Sequence, residues 1–147
     1  MLSLSQLHAQ NHRITELSNV FLHLSQKRSL CDTETACGLF FDYAQQVKEH
    51  MEVVDKQLCS RLIAHPDPSV RNTADRFLSG SSEIKRIFAD YLKDWCRTSH
   101  RELRIHDHEA FVRDTEHMFA LVLDRIQRET ELLYPLIRKI EGDEQAA

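Results

Sequence analysis

The sequence predicts an all-α chain folded as an up-down-up-down four-helix bundle, and three observations predict it. Only three Gly and three Pro occur in 147 residues, too few turn formers for a β-rich fold. Four long segments carry apolar residues at helical spacing and are joined by short links. Finally, two of those segments end alike. His50-Met-Glu-Val-Val-Asp-Lys-Gln-Leu-Cys-Ser-Arg-Leu62 lies over Arg125-Ile-Gln-Arg-Glu-Thr-Glu-Leu-Leu-Tyr-Pro-Leu-Ile137 at an offset of 75 (125 − 50). Leu58 then falls on Leu133, Leu62 on Ile137, His50 on Arg125 and Val54 on Glu129, so the chain reads as two helix pairs.

The first helix is expected from about Ser5 to Lys27, capped by Ser3 or Ser5. Leu7, Ile14, Leu17, Phe21 and Leu24 form its stripe. Asn11 lies within that stripe, His8 on its edge, and His12 points away. Asp32 is the expected cap of a second helix over Thr33 to Ala64, with Ala36, Phe40, Tyr43, Val47, Val54 and Leu58 inward. His50 shares that face and Asp55 is at its margin. His65-Pro66 ends it, because the residue before proline resists the α region.

Asp67-Pro68 is a cap followed by proline at the first helical position. The third helix carries Ala74, Phe77, Ile84, Phe88, Tyr91 and Trp95, and is expected to continue through a weak point at Ser79-Gly-Ser-Ser82. Cys96 to His108 is a polar link with a capping box at Ser99 and Glu102. The fourth helix follows, from His108 to Ile140, with Phe111, Met118, Val122, Leu133 and Leu136 inward. Glu129 is near the centre of that stripe, with Arg125 beside it. The tail from Glu141 is expected to fray.

Composition narrows the function. One domain over residues 1–147 is the expectation for this length. A net charge of −4 with nine His counted neutral gives no basic face for nucleic acid. The N-terminus has neither a basic n-region nor a long apolar run, so no signal peptide or membrane span is expected and the chain is read as cytoplasmic. Cys31, Cys37, Cys59 and Cys96 form no C-x-x-C pair and are read as free thiols.

Chemistry is concentrated at Glu129 and His50. A carboxylate in an apolar stripe is costly unless paired, protonated or bound to metal, and Arg125, one turn before, offers an ion pair. His50 reads as a hydrogen-bonded core residue or a ligand. A single metal at His50, Glu129 and His8 or Asp55, iron or zinc, is the competing arrangement. Cys96 with His100, and His106 and His108 in the next link, are candidate zinc donors, against a plain solvent-exposed loop. His117 is followed by Met-Phe-Ala, which does not fit a phosphotransfer histidine. No Ser-His-Asp arrangement or phosphate-binding Gly loop occurs.

The runs His50-Met-x-x-x-Asp55-x-x-Leu58, Arg125-Ile-x-x-Glu129-x-x-x-Leu-Tyr-Pro-Leu-Ile137 and Asn11-His-Arg-Ile14 resemble the hemerythrin-like (HHE cation-binding) family. That resemblance spans nearly the whole chain. It implies a four-helix bundle that often holds a di-iron centre for oxygen or nitric oxide sensing, oxygen binding or iron handling. His50 matches the family's second-helix His and Glu129 its fourth-helix Glu. Val54 stands where the family has Glu, Arg125 where it has His, and Asn11 where the first-helix His is expected. Ser81 is near the third-helix position. The ligand set is therefore degenerate, and a guanidinium in the pocket repels a cation. The expectation is a small sensor or regulatory protein, not an enzyme, that acts through a protein partner or as a homodimer; a metal-binding sensor is the alternative.

Overall fold

The structure, a computed structural model, describes residues 3–146. It is all-α apart from one short hairpin. α1 (Leu4–Ser25) starts at Ser3. The Ser3 hydroxyl accepts from the Gln6 amide, and the Gln6 side chain accepts from the Ser3 amide at 2.8 Å, a reciprocal cap. α2 (Glu34–Val53) is capped by Thr33, whose hydroxyl accepts from the Ala36 amide at 3.2 Å. Asp32, the expected cap, is instead paired with Arg28 at 3.1 Å. A β-branched hydroxyl one residue on serves the same orphan amide.

α2 does not end at Val53. A π turn, Val54–Cys59, widens the helix and passes into α3 (Ser60–Ile63), so one rod runs to the expected stop before Pro66. α4 (Pro68–Trp95) is capped by Asp67 and continues through Ser79-Gly-Ser-Ser82. There the Ser81 and Ser82 hydroxyls bond back to the carbonyls of Phe77 and Leu78, which occupies hydroxyls that otherwise compete with the helix.

The link after α4 departs from expectation. Cys96–Arg97 (β1) pairs antiparallel with Glu102–Leu103 (β2) around a 3₁₀ turn at Thr98–His100. No capping box forms at Ser99 and Glu102. Leu103 and Ile105 bury their side chains and draw the link back over the helix ends, which leaves Asp107 to cap the next helix through the Ala110 amide. α5 (His108–Arg128) passes through a second π turn, Glu129–Leu133, into α6 (Tyr134–Ala146). The tail expected to fray from Glu141 stays helical; Ile140 is buried beneath it and Glu141 reaches Arg61. Ala147 lies outside the described residues.

Burial is periodic and doubled. In α1 and α4, Leu7 and Phe77, Asn11 and Ser81, Ile14 and Ile84, and Phe21 and Tyr91 are buried at a constant offset of 70 (77 − 7). In the two rods with π turns, Tyr43 and Met118, Val47 and Val122, His50 and Arg125, Val54 and Glu129, and Leu58 and Leu133 are buried at 75 (129 − 54). Both π turns open at matched residues, Val54 and Glu129.

The apolar interior is divided in two. One cluster gathers Phe21, Phe40, Tyr43, Tyr91, Phe111 and Phe119 with their neighbours. The other gathers Leu7, Val54, Leu58, Phe77, Leu133, Tyr134 and Ile137. Each rod passes from one cluster to the other, and at the crossing it carries its buried polar residues: Asn11, His50, Ser81, Arg125 and Glu129. Among the described residues no helix is long and apolar enough to cross a membrane.

Candidate functional site: a polar layer between two apolar clusters

Glu129 is the hub of this layer. It is fully buried, so its charge must be answered locally. Its Oε1 accepts from His50 Nε2 at 2.6 Å and from the Tyr134 hydroxyl at 3.1 Å. Its Oε2 accepts from Arg125 Nε at 2.8 Å. Burial pushes the Glu129 carboxyl up, but the hydrogen bonds and charges of His50 and Arg125 outweigh it and hold the group below the ordinary 4.5. Glu129 is therefore a carboxylate with both oxygens engaged.

The partners are fixed from behind. His50 Nδ1 stands 2.8 Å from the Gln10 side-chain oxygen. Because Nε2 faces a carboxylate, it carries a proton, and the Gln10 amide then decides the other nitrogen: its oxygen selects imidazolium, its NH₂ the neutral ring. Arg125 Nη1 donates to the Phe77 carbonyl at 2.7 Å, and the guanidinium stacks 4.8 Å from the Phe77 ring centre. Asn11 donates to the Tyr134 hydroxyl at 3.0 Å. Burial, then the neighbouring Glu129, raise the Tyr134 hydroxyl far out of the titrating range. It is a permanent donor.

Asp55 closes the other side. Its Oδ1 accepts from Ser81 at 2.7 Å and lies 3.7 Å from Arg125 Nη2, an ion pair without a hydrogen bond. Its Oδ2 meets Lys85 at 3.2 Å. Gln10, His50, Glu129, Arg125, Asp55 and Ser81 thus form one chain of contacts through all four rods.

The residues singled out from the sequence are placed as follows. His50, Glu129 and Arg125 converge. Asp55 joins them through Arg125 and makes no contact with His50. His8 stays apart, its ring edge-on to Tyr134 at 5.0 Å between centres. Gln10 and Tyr134 had not been anticipated. Tyr134 is five residues beyond Glu129, which in an α-helix leaves it about 140° round the axis; the π turn brings the two together.

These donors do not fit the metal centre that the resemblance implies. His50 and Glu129 are the only adjacent ligand-type pair here, and Arg125 holds the second carboxylate oxygen. Among the described residues no three His, Cys, Asp or Glu side chains gather around one point. The link donors diverge as well. His106 stacks on Trp95 at 4.3 Å, His108 meets the Ser25 carbonyl at 2.8 Å, and His100 meets Ser99. Burial pushes the Cys96 thiol up to about 12, so it is no thiolate donor. Comparison with protein-family models, curated proteins and solved structures finds no match for the chain.

Proposed function

We propose that the chain is a hemerythrin-like up-down-up-down bundle in which an internal salt-bridge layer occupies the place of a metal cluster. It acts as a small cytoplasmic sensor or regulatory protein through contact with a protein partner, and not as an enzyme. The up-down order is supported by each rod crossing between the clusters in alternate directions: Leu7 to Phe21, Phe40 to Leu58, Phe77 to Tyr91, Phe111 to Leu133. The observation that carries the reading is the closure of Glu129. Arg125 answers one oxygen and His50 and Tyr134 the other, so both oxygens are engaged by donors of the chain itself.

The non-enzymatic part of the proposal rests on how the layer's own groups are engaged. His50 is engaged by Gln10 and Glu129, and Asp55 by Ser81, Lys85 and Arg125, and the layer lies between two apolar clusters. Metal analysis of protein purified without a His tag tests the proposal. The reading expects no stoichiometric iron, and no near-UV or visible bands of an oxo-bridged centre after iron is added under air. Stoichiometric iron with such bands, lost in His50→Ala, would overturn it.

A further inference from the structure

A groove of about 700 Å³ runs along the outside of the bundle between α4 and the α5–α6 rod. Its lining is mixed, with Phe77, Ile84, Ile87, Leu121, Leu132 and Leu136 as the apolar part. Leu132 is 57% exposed, the most exposed large apolar side chain among the described residues. It projects from the second π turn, where the widened helix turns an apolar residue outward beside a polar site. Such a volume and lining are those of a ligand cleft.

One cationic group in the groove is unanswered. Arg76, on the rim, is exposed and has no ion pair or hydrogen bond among the described residues. Arg125, in the floor, is buried and already answered by Glu129 at 2.8 Å and, through Nη2, by Asp55 at 3.7 Å. The floor is open above that guanidinium because residue 80 is glycine: a Cβ there would stand 3.3 Å from Arg125 Nη1. The other rim arginine, Arg128, is neutralised by Asp124 at 2.8 Å. Of the acids in the lining, Asp124 is paired with Arg128 and Glu83 lies 4.0 Å from Arg86. The unpaired charge of the lining is therefore the cation Arg76, with Ile84, Ile87 and Leu121 further along the groove.

We propose that this groove binds a small amphiphilic carboxylate, with its head at Arg76 above the Arg125–Gly80 floor and its apolar body along Ile84, Ile87 and Leu121. The span from Arg76 to Ile87 is about 16 Å at helical rise, long enough for a medium-length acyl chain. A carboxylate pairs with a guanidinium through directed hydrogen bonds, while the wall supplies area-proportional burial. The site is independent of the metal question, since it needs only the groove.

Decanoate is the probe, with decylammonium as the charge-reversed control, followed by amide chemical-shift titration of the whole chain. Saturable shifts at Gly80, Ile87, Leu121 and Leu132 are expected with decanoate and not with decylammonium. Arg76→Glu, an exposed change that leaves the melting temperature in place, should weaken decanoate about three- to ten-fold. Leu121→Asp, half-buried in the wall along the body, should weaken it as well. No saturation below the micellar range, shifts elsewhere, equal response to decylammonium, or indifference to Arg76→Glu would each overturn the proposal. A dilution series without ligand that moves the same amides would also overturn it, because a second copy of the chain would then be the occupant.

Discussion

The two π turns occupy matched positions in the two halves of the molecule and are used differently. Each opens one turn after a buried nitrogen-bearing side chain, His50 or Arg125, and each contains a leucine of the same apolar cluster, Leu58 or Leu133. The residue that opens the turn differs. In the first half it is Val54, which adds to the apolar cluster. In the second it is Glu129, which takes up Arg125 of its own rod and His50 of the other. One carboxylate on the molecule's quasi-symmetry position thus engages His50 from one rod and Arg125 from the other. A buried ion pair contributes little net stability against apolar residues of equal shape, but losing one member strands a charge. The difference between the halves should therefore show as asymmetric sensitivity to substitution.

The largest effect is expected from making the halves alike. Val54→Glu buries a second carboxylate at a fully buried position of an apolar cluster, and should cost more than about 4 kcal/mol or prevent folding. Urea unfolding without metal measures it; a cost under about 1 kcal/mol would mean the layer has spare donors.

Next is Glu129→Gln, expected to cost about 3 kcal/mol at neutral pH by stranding Arg125. This loss should depend on pH. The folded-state value of Glu129 lies below its unfolded one, so its contribution is fully present above about 4.5 and is lost as pH falls through the depressed folded value. The stability gap between wild type and Glu129→Gln should accordingly narrow below pH 4.5 and stay level above it. A gap that widens in acid would reverse the sign of the assignment.

Val54→Ala, at the matched apolar position, should cost about 2 kcal/mol through lost burial and a small cavity, with no such pH dependence. The smallest effect belongs to Asp124→Ala. It breaks an Arg–Asp pair at the same i,i+4 spacing as Arg125 and Glu129, but with both side chains more than half exposed, and should change stability by no more than about 0.5 kcal/mol. A loss comparable with Glu129→Gln would show that spacing, rather than burial, sets the strength of such pairs.

Much of this arrangement is legible in the sequence. The apolar stripes give the rods, the His50–Leu62 and Arg125–Ile137 overlay gives the matched positions, and Arg125 beside Glu129 gives the ion pair. Asn11 and Ser81 fall on their stripes, and both are buried in the layer. What the stripes hide is any departure from a period of 3.6. Tyr134 stays invisible as a Glu129 partner until the helix widens, and the one cue is Pro135, which brings no N–H and sits just beyond the widened turn. The hairpin at Cys96–Leu103 is hidden for another reason. Its strands are two residues each, shorter than any periodicity test, and its anchors Leu103 and Ile105 look like isolated apolar residues in a polar link. The choice of Thr33 over Asp32 as cap depends on Arg28 claiming the aspartate, a contact that only the folded link provides.

The central claim is that Glu129 is held by side chains of the chain itself, in place of an ion. A double-mutant cycle in urea on Arg125→Met and Glu129→Leu, run with and without chelator, tests it most directly. Each single substitution strands a buried charge or its partner, whereas the pair removes both. The account predicts that the double variant is more stable than the sum of the singles by about 2–3 kcal/mol, and that chelator leaves the wild-type curve unmoved. Additive costs together with a chelator-sensitive wild type would contradict it and return Glu129 to the role of a metal ligand.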